Sequence, residues 1–326
     1  MTNYLILMTN IFRIHMLKAK TGDSFIVECD EETFFIDGGT RSVAKYLKKY
    51  LLKNDPAKLR AVFVTHVDRD HIGGIAKLYG QFSKYVPKTA PIYMNHPDQV
   101  AITTNTSGLV TYEDGNSLKE VLMKNGYVLD EATTGKILDF NGITVEILSP
   151  PSVVAGQLFT EWKASDDGLV STDFIEVDCS NVPPEPNNYI LSDIVNASSI
   201  ALTITHAGKT ALFLSDSLPE VVLNQIKGKT KFDVVKISHH GSKHNTSMEL
   251  LRRIDCNNFI ISTNGPRSYG HPHAETLARL ILSSIEHGYS ECNITFNYEK
   301  VCSRIKINNL PNGFRVNLIY SETIDL

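Results

Sequence analysis

Four potential metal ligands lie close together in the segment THVDRDHIGG, residues 65–74. They are His66, Asp68, Asp70 and His71, and they directly follow the apolar segment LRAVFV. Burying two carboxylates and two imidazoles without a cation would be costly. Imidazole nitrogens and carboxylate oxygens together suit Zn²⁺, and also Mn²⁺ or Fe²⁺. The segment therefore predicts a divalent metal site, with a solvated polar turn as the alternative.

Further candidate ligands stand at the ends of later apolar segments. Asp216 closes ALFLSD, His239 and His240 close VVKISHH, and His271 lies within YGHPH. A single buried Asp or His is more often a hydrogen-bonded core residue than a ligand. Because these residues stand at successive predicted strand ends, which can share one edge of a sheet, the set favours metal binding.

The elements that must position these residues alternate between strands and helices. Segments rich in β-branched and aromatic residues predict strands, some of them paired around turns, at 12–29, 33–40, 59–65, 143–150, 198–216, 232–240 and 257–264. Helical spacing of apolar residues predicts helices at 42–54, 75–82 and 274–287. Strands followed by helices, twice along the chain, predict two sheets packed face to face with helices outside.

Composition narrows the class of protein. The chain has 326 residues, 42% of them hydrophobic, and a formal net charge of −4, which is typical of an ordinary globular protein. No apolar segment approaches the roughly 18 residues of a membrane span, and the opening segment is too short for a signal peptide. The five cysteines have no metal-binding spacing, so we expect reduced thiols and a cytoplasmic location.

One segment does not fit the alternation. Between Glu161 and Asp193 there are eight acidic residues against the single basic Lys163, and the segment contains VPPEPNN, which cannot form regular structure. We therefore expect a single domain, 1–326, with an acidic loop insertion at about 161–193. Such a loop is either a solvated surface excursion or a lid over a site.

Six short motifs follow one another in order between about residues 12 and 285. They are GDS at 22–24, IDGG at 36–39, THVDRDHIGG at 65–74, Asn196 and Ser199 ahead of the hairpin that ends at Asp216, HHGS at 239–242, and GHPH at 270–273. In these motifs the chain resembles the metallo-β-lactamase superfamily, and within it the stand-alone members of the ComEC/Rec2-like branch. The resemblance implies a four-layered αββα sandwich with a dinuclear metal site at the sheet edge.

The resemblance also implies how the ligands divide between two divalent ions, with Zn²⁺ preferred and Mn²⁺ as the alternative. The first ion would be held by His66, Asp68 and one member of the pair at 239 and 240, with His240 preferred. The second ion would be held by Asp70, His71 and His271, with Asp216 bridging. The chain departs from the wider superfamily in carrying Asp68 in place of a histidine, and SPPSV, residues 149–153, where another histidine is usual.

The chemistry implied is hydrolysis by a hydroxide that bridges the two ions. Asp70 would orient the attacking water and accept its proton, and His239 would donate a proton to the substrate or leaving group. Other histidines are not expected to be ligands, namely His15, His96, His206 and His273. Lys243 and His244 could hold an anion, although solvated loop positions are the preferred interpretation.

A phosphodiesterase or nuclease acting on nucleic acid or nucleotide phosphoesters is therefore the leading prediction, with the phosphoester as partner and no membrane. The net charge of −4 argues against a processive nuclease. The same fold also supports lactone, amide or thioester hydrolysis, and a metal-stabilised binding or regulatory module is the alternative outside the enzymes.

Overall fold

The computed structural model describes residues 10–96, 111–160, 174–185, 194–266 and 270–326. Its strands are β1 (Phe12–Met16), β2 (Phe25–Cys29), β3 (Glu32–Ile36), β4 (Leu59–Phe63), β5 (Ile92–Tyr93), β6 (Leu129–Asp130), β7 (Ile137–Phe140), β8 (Ile143–Ser149), β9 (Ile175–Asp178), β10 (Ala201–His206), β11 (Lys209–Phe213), β12 (Thr230–Lys231), β13 (Val234–Lys236), β14 (Ile254–Asp255), β15 (Asn258–Ile261), β16 (Glu291–Phe296), β17 (Ile305–Asn308), β18 (Arg315–Tyr320) and β19 (Thr323–Asp325). Its helices are α1 (Ala44–Lys53), α2 (Arg69–Gln81), α3 (Thr111–Lys124), α4 (Ser152–Thr160), α5 (Ile194–Ala197), α6 (Pro219–Leu223), α7 (Met248–Arg253), α8 (Ala274–Glu286) and α9 (Glu299–Cys302).

Two large sheets face each other. Within the described ranges, the first has the order β19-β1-β2-β3-β4-β5-β6 and the second β18-β16-β15-β13-β11-β10-β8-β7. Buried side chains from both sheets meet between them, for example Phe25 and Phe213, whose rings pack edge to face with centroids 5.5 Å apart. Apolar faces of α1 and α2 cover the outside of the first sheet, and α7 and α8 cover the second. The predicted αββα sandwich is confirmed.

Parallel strands bring the chemically important residues to one edge. β3 and β4 run parallel, with Ile36 opposite Phe63, and β11, β13 and β15 run parallel in the second sheet. Since the carboxyl ends of parallel strands meet at the same edge, the segments that follow β4, β11, β13 and β15 are adjacent. These segments carry all the ligands that the sequence predicts.

Helix α2 begins earlier than expected. The predicted helix covered 75–82, but α2 starts at Arg69 with Asp68 as its N-cap residue, so His71 lies in the first turn. Gly74 explains how the helix sits so close to the β3–α1 turn, because a Cβ atom there would overlap the carbonyl oxygen of Gly38. The ligand segment is thus held by a helix start rather than by a loop.

The acidic segment is not a loop throughout. Residues 175–178 form β9, which pairs in parallel with β17 in a separate two-stranded sheet. The VPPEPNN stretch is irregular over Val182–Glu185, as predicted, and Glu185 accepts a hydrogen bond from the backbone amide of Met248 at the start of α7. Residues 161–173 and 186–193 lie outside the described residues.

The remaining features concern the ends of the sheets and the surface. Strand β19 pairs antiparallel with β1, where Arg13 lies opposite Asp325, and thereby completes one edge of the first sheet. Cys302 is half-buried and the other four cysteines are buried, and all five thiols are free. None of the helices in the described ranges combines the length and apolar character that crossing a membrane requires.

Candidate metal centre

The first ligand segment is oriented by a buried carboxylate. Asp37, at the end of β3, accepts hydrogen bonds from the backbone amide and the hydroxyl of Thr65, at 2.8 and 2.6 Å. Its Oδ2 also lies 2.8 Å from Nδ1 of His71. Because a carboxylate can only accept, His71 donates from Nδ1, and the lone pair of the neutral imidazole is left on Nε2.

The same network sets the orientation of His66. Its Nδ1 lies 3.0 Å from the Thr65 hydroxyl oxygen and 3.3 Å from that of Ser199. The Thr65 hydroxyl proton is already donated to Asp37, so this oxygen accepts from Nδ1 of His66. The lone pair of His66 is therefore also on Nε2.

The second half of the chain contributes its histidines from an unusual backbone. His239 and His240 both adopt left-handed conformations, with φ/ψ of 46°/52° and 56°/22°. For residues other than glycine this region costs roughly 1–2 kcal/mol each, and such strain concentrates at functional sites. Two consecutive left-handed residues turn the chain so that both imidazoles face the same centre.

Hydrogen bonds again decide which nitrogen faces inward. Nδ1 of His240 lies 2.8 Å from the carbonyl oxygen of Ser262, so Nδ1 is the donor. Nδ1 of His239 lies 3.1 Å from Oδ1 of Asn245, and the Asn245 amide group donates to the carbonyl oxygen of Asp216. That donation fixes the orientation of the Asn245 amide, so His239 donates from Nδ1 and its lone pair is on Nε2.

These four imidazoles converge on one carboxylate oxygen. Oδ2 of Asp216 lies 3.5 Å from Nε2 of His71, 3.6 Å from that of His240, 3.8 Å from that of His239 and 4.0 Å from that of His66. Four Nε2 atoms and a carboxylate thus face one small volume. Among the described residues, the Nε2 atoms of His66 and His71 have no hydrogen-bond partner. This donor set fits a bound cation.

The pKa shifts of Asp216 and His71 also indicate a site that attracts positive charge. Burial opposes the charge of Asp216, but the imidazoles of His71, His240 and His239 outweigh it and hold the pKa of this carboxyl well below its usual range. Burial lowers the pKa of His71, yet the carboxylates of Asp216 and Asp37 more than compensate and raise it well above its usual value. The centre therefore attracts positive charge.

The other predicted ligands border the same volume. Oδ2 of Asp68 lies 3.7 Å from Nε2 of His66. Asp70 offers an oxygen within 4.8 Å of ligand atoms of His71 and His240. Burial and the neighbouring His239 and His240 lower the pKa of His271, whose ring centroid lies 5.2 Å from that of His239. The structure thus brings all seven predicted metal ligands together.

The grouping differs from the expected division in one respect. His240 lies with Asp70 and His71, whereas the sequence placed it with His66 and Asp68. The reason is geometric, since both members of the histidine pair turn inward and His240 is the one directed toward the His71 side. The roles of the individual ligands remain predictions.

The remaining histidines and Lys243 have partners of their own. Nε2 of His96 bonds to Asn116 at 2.8 Å, and Nε2 of His206 lies 3.0 Å from Asp30. Nδ1 of His273 accepts from the backbone amide of Lys243, whose ammonium pairs with Glu275 at 2.9 Å. Nε2 of His15 lies 3.0 Å from Glu28, and that of His287 lies 3.0 Å from the carbonyl oxygen of Leu251. The ring of His244 packs edge to face with that of His273.

Sequence reasoning missed two contributors to the centre. Asn245 orients His239, and nothing in its sequence context marks it. Lys236 is fully buried behind Asp216, and a lysine inside the apolar segment FDVVKI was a signal that could have revealed it.

This fold, with a histidine- and aspartate-rich centre at the edge of two facing sheets, agrees with the comparisons to known proteins. Residues 18–179 match the family model of the metallo-beta-lactamase superfamily, and the chain belongs to this superfamily. Members are generally metal-dependent hydrolases, and the fold implies divalent metal ions at the clusters described above.

The individual proteins that the chain resembles have low sequence identity to it. ComE operon protein 3 of Bacillus subtilis is 24% identical over 257 residues, which cover 78% of this chain, and the chain spans about a quarter (26%) of that protein. The metallo-beta-lactamase fold protein YhfI from Bacillus subtilis is 13% identical, with a TM-score of 0.47, covering 97% of this chain and 100% of YhfI. A diphosphatase of the PhnP family is 12% identical, with a TM-score of 0.42, covering 94% and 85% of the two chains.

Proposed function

We propose that this protein is a dinuclear metal-dependent phosphodiesterase that acts on nucleic acid or nucleotide phosphoesters. The observation that carries the proposal is the convergence of four imidazole Nε2 atoms on Oδ2 of Asp216. Because every Nδ1 proton is donated outward, each ring presents Nε2 to the centre, and the outer partners hold it in its ligating orientation. A bound cation would take the place of any proton on Nε2.

The groups suggest how two ions would be held. His66 and Asp68 belong to one position, while Asp70, His71 and His240 belong to the other, with Asp216 between them. His271, beside His239, would complete the set. Because Asn245 leaves His239 with its lone pair facing inward, we assign His239 as a ligand, which changes the proton-donor role that the sequence favoured.

The charge of the centre favours a phosphodiester. When bound, the two divalent ions supply Lewis acidity, which lowers the pKa of a water molecule and neutralises charge developing on substrate oxygens. Two divalent ions and the three carboxylates of Asp68, Asp70 and Asp216 would leave one net positive charge, which the attacking hydroxide would then neutralise. The centre would then not repel a monoanionic phosphodiester, and the ions would attract its charged oxygens more strongly than the uncharged carbonyl of a lactone or amide. Asp70 would orient the attacking water and accept its proton.

The reaction would take place in a reducing compartment. All five thiols are free and four of them are buried, an arrangement that suits the cytoplasm.

Hydrolysis assays test the proposed function directly. The metal-loaded protein, with Mn²⁺ or Zn²⁺, is assayed on bis-p-nitrophenyl phosphate, a single-stranded oligonucleotide, a lactone and nitrocefin. We expect turnover of the phosphodiesters, its loss in Asp216→Asn, and its retention in His206→Asn, which changes a histidine outside the centre. Turnover of the lactone or nitrocefin alone would contradict the proposal and support the other hydrolase class.

A further inference from the structure

A buried ion pair lies directly behind the centre. Lys236, the last residue of β13, and Asp23, in the turn before β2, have side chains only 1% and 2% exposed, and their charged groups are in contact. The Lys236 ammonium also donates to the carbonyl oxygen of Ser215 at 2.8 Å. Lysine is rarely buried so fully, and its aliphatic stem could be replaced by an apolar residue, so its charge needs an explanation.

This ammonium makes the two oxygens of Asp216 different. Oδ2 faces the four imidazoles, whereas Oδ1 lies 3.7 Å from Nζ of Lys236. A fixed positive charge beside Oδ1 attracts that oxygen and repels a divalent ion approaching it. Only Oδ2 is then left for cations on the imidazole side.

The position of Lys236 is itself fixed from the first half of the chain. Asp23 belongs to the GDS motif, and a Cβ atom at its neighbour Gly22 would overlap the carbonyl oxygen of Asp70. The hydroxyl of Ser24 donates to the carbonyl oxygen of Asp37 at 3.2 Å. The motif thus packs against the first ligand segment while its carboxylate reaches Lys236 behind the second.

We propose that Lys236, held in place by Asp23, is a positioning residue that restricts Asp216 to bridging the two metal ions through Oδ2 alone. The inference rests on the proposed dinuclear function and assigns a role to the GDS motif. Without the ammonium, Asp216 can rotate and give one oxygen to each ion, which replaces a one-atom bridge with a three-atom bridge.

Magnetic coupling between two Mn²⁺ ions distinguishes these bridges, because the bridging hydroxide is common to both states and exchange through one shared carboxylate oxygen is stronger than exchange through a three-atom carboxylate. The test variant combines Lys236→Met with Asp23→Asn, which removes the pair without changing the net charge. The matched control combines Lys209→Met with Asp233→Asn, since that Lys–Asp pair (2.9 Å) joins the neighbouring strand at its opposite, exposed end. Bound Mn²⁺ is counted by metal analysis and the coupling is measured by electron paramagnetic resonance.

We expect the buried-pair variant to show weaker coupling, and its affinity for the second Mn²⁺ to fall by about 10- to 100-fold, as is typical when partners of metal ligands are removed. The surface-pair control keeps both wild-type values. If circular dichroism shows that the double variant does not fold, Lys236→Gln, whose amide can still donate to Asp23, carries the same expectation.

Wild-type coupling in a folded buried-pair variant, or in Lys236→Gln, would overturn the role of Lys236 and leave the proposed function intact. A wild-type protein that binds no pair of Mn²⁺ ions would instead refute the dinuclear centre, and with it this role.

Discussion

The two halves of the chain position their ligands in different ways. In the first half, His66, Asp68, Asp70 and His71 all have negative φ, the first two in the segment that leads into α2 and the last two in its first turn. In the second half, Asp216 follows Ser215, which has a φ of 49°, and both residues of the histidine pair are left-handed. The first half presents its site residues around an ordinary helix start, with positive φ only at the orienting Asp37 (56°), whereas in the second half the histidine pair itself is left-handed.

The difference shows where the fold alone is not sufficient. A helix start already aims several side chains at one volume, so the first segment needs only close packing and Asp37. Adjacent residues in extended backbone point to opposite sides, and the chain is extended up to Ile237, so the left-handed turn at the histidine pair is what brings both rings to one centre. Strain in the second half is therefore the cost of placing both rings at the centre.

The largest expected effect comes from the residue that faces both halves. Asp216→Ala should lower the occupancy of both metal positions and reduce kcat/KM on bis-p-nitrophenyl phosphate by about 10³-fold. His66→Ala, which changes a ligand of one half only, should leave one ion bound. Metal analysis beside kinetics measures both. Equal metal loss in the two variants would contradict a bridging position for Asp216.

The strained half predicts a trade between stability and activity. Asparagine can bond locally in the left-handed region and adopts it at less cost than histidine, so His239→Asn should raise the stability of the metal-free protein by about 0.5–1 kcal/mol. Because a proposed metal ligand is lost, kcat should fall by about 10²-fold. His66→Asn, at negative φ, should lose activity without any gain in stability. Urea unfolding of the two metal-free variants measures the change in the free energy of unfolding. An equal gain in stability for His66→Asn would contradict the assignment of strain to the second half.

The first half of the chain depends on close packing around α2. Gly74→Ala places a methyl group against the Gly38 carbonyl and should destabilise the protein by about 1–3 kcal/mol. Gly80, in the same helix, has open space at its Cβ position, so Gly80→Ala should stabilise by about 0.5–1 kcal/mol through helix propensity. Denaturant unfolding of the two variants measures this, and the same sign for both would refute the packing argument.

The smallest effect is expected at the histidine next to the centre. His273→Gln should retain both metal ions. Nδ1 of His273 accepts from the backbone amide of Lys243, so the proton of the neutral ring is on Nε2 and neither nitrogen has a free lone pair for a metal ion. Loss of that hydrogen bond should cost about 1 kcal/mol or less. Metal content and melting temperature are the measurements, and loss of one equivalent of metal would make His273 a ligand of the second half.

Sequence patterns predicted the first half better than the second, because a strand end followed by a helix start leaves a recognisable pattern and a left-handed turn does not. The ligand spacing 66–71 follows from a strand end and a helix start, although the start of α2 was missed because Arg69 and Asp70 interrupt the apolar pattern. Strand β9 was missed because Ile175 and Val177 alternate with acidic residues, so the net charge of the segment obscured a period of two.

Roles within the histidine pair could not be predicted. The deciding facts are a left-handed backbone that histidine seldom adopts and an amide, Asn245, whose orientation depends on a carbonyl 29 residues earlier. Neither leaves a local pattern. Lys236 is different, since a charged residue inside a buried strand calls for a partner, and Asp23 is the residue that supplies it.

The pairing of β19 with β1 has a consequence for the synthesis of the protein. Arg13 and Asp325 are bonded partners although 312 residues separate them in sequence. A ribosome releases β1 long before β19, so throughout most of translation the first sheet presents a strand with unsatisfied backbone groups. Open edges of this kind recruit strands from other chains, and partly synthesised chains are prone to such misassembly. A stalled nascent chain of this protein should therefore depend on chaperones that shield β1 until residues 323–325 emerge.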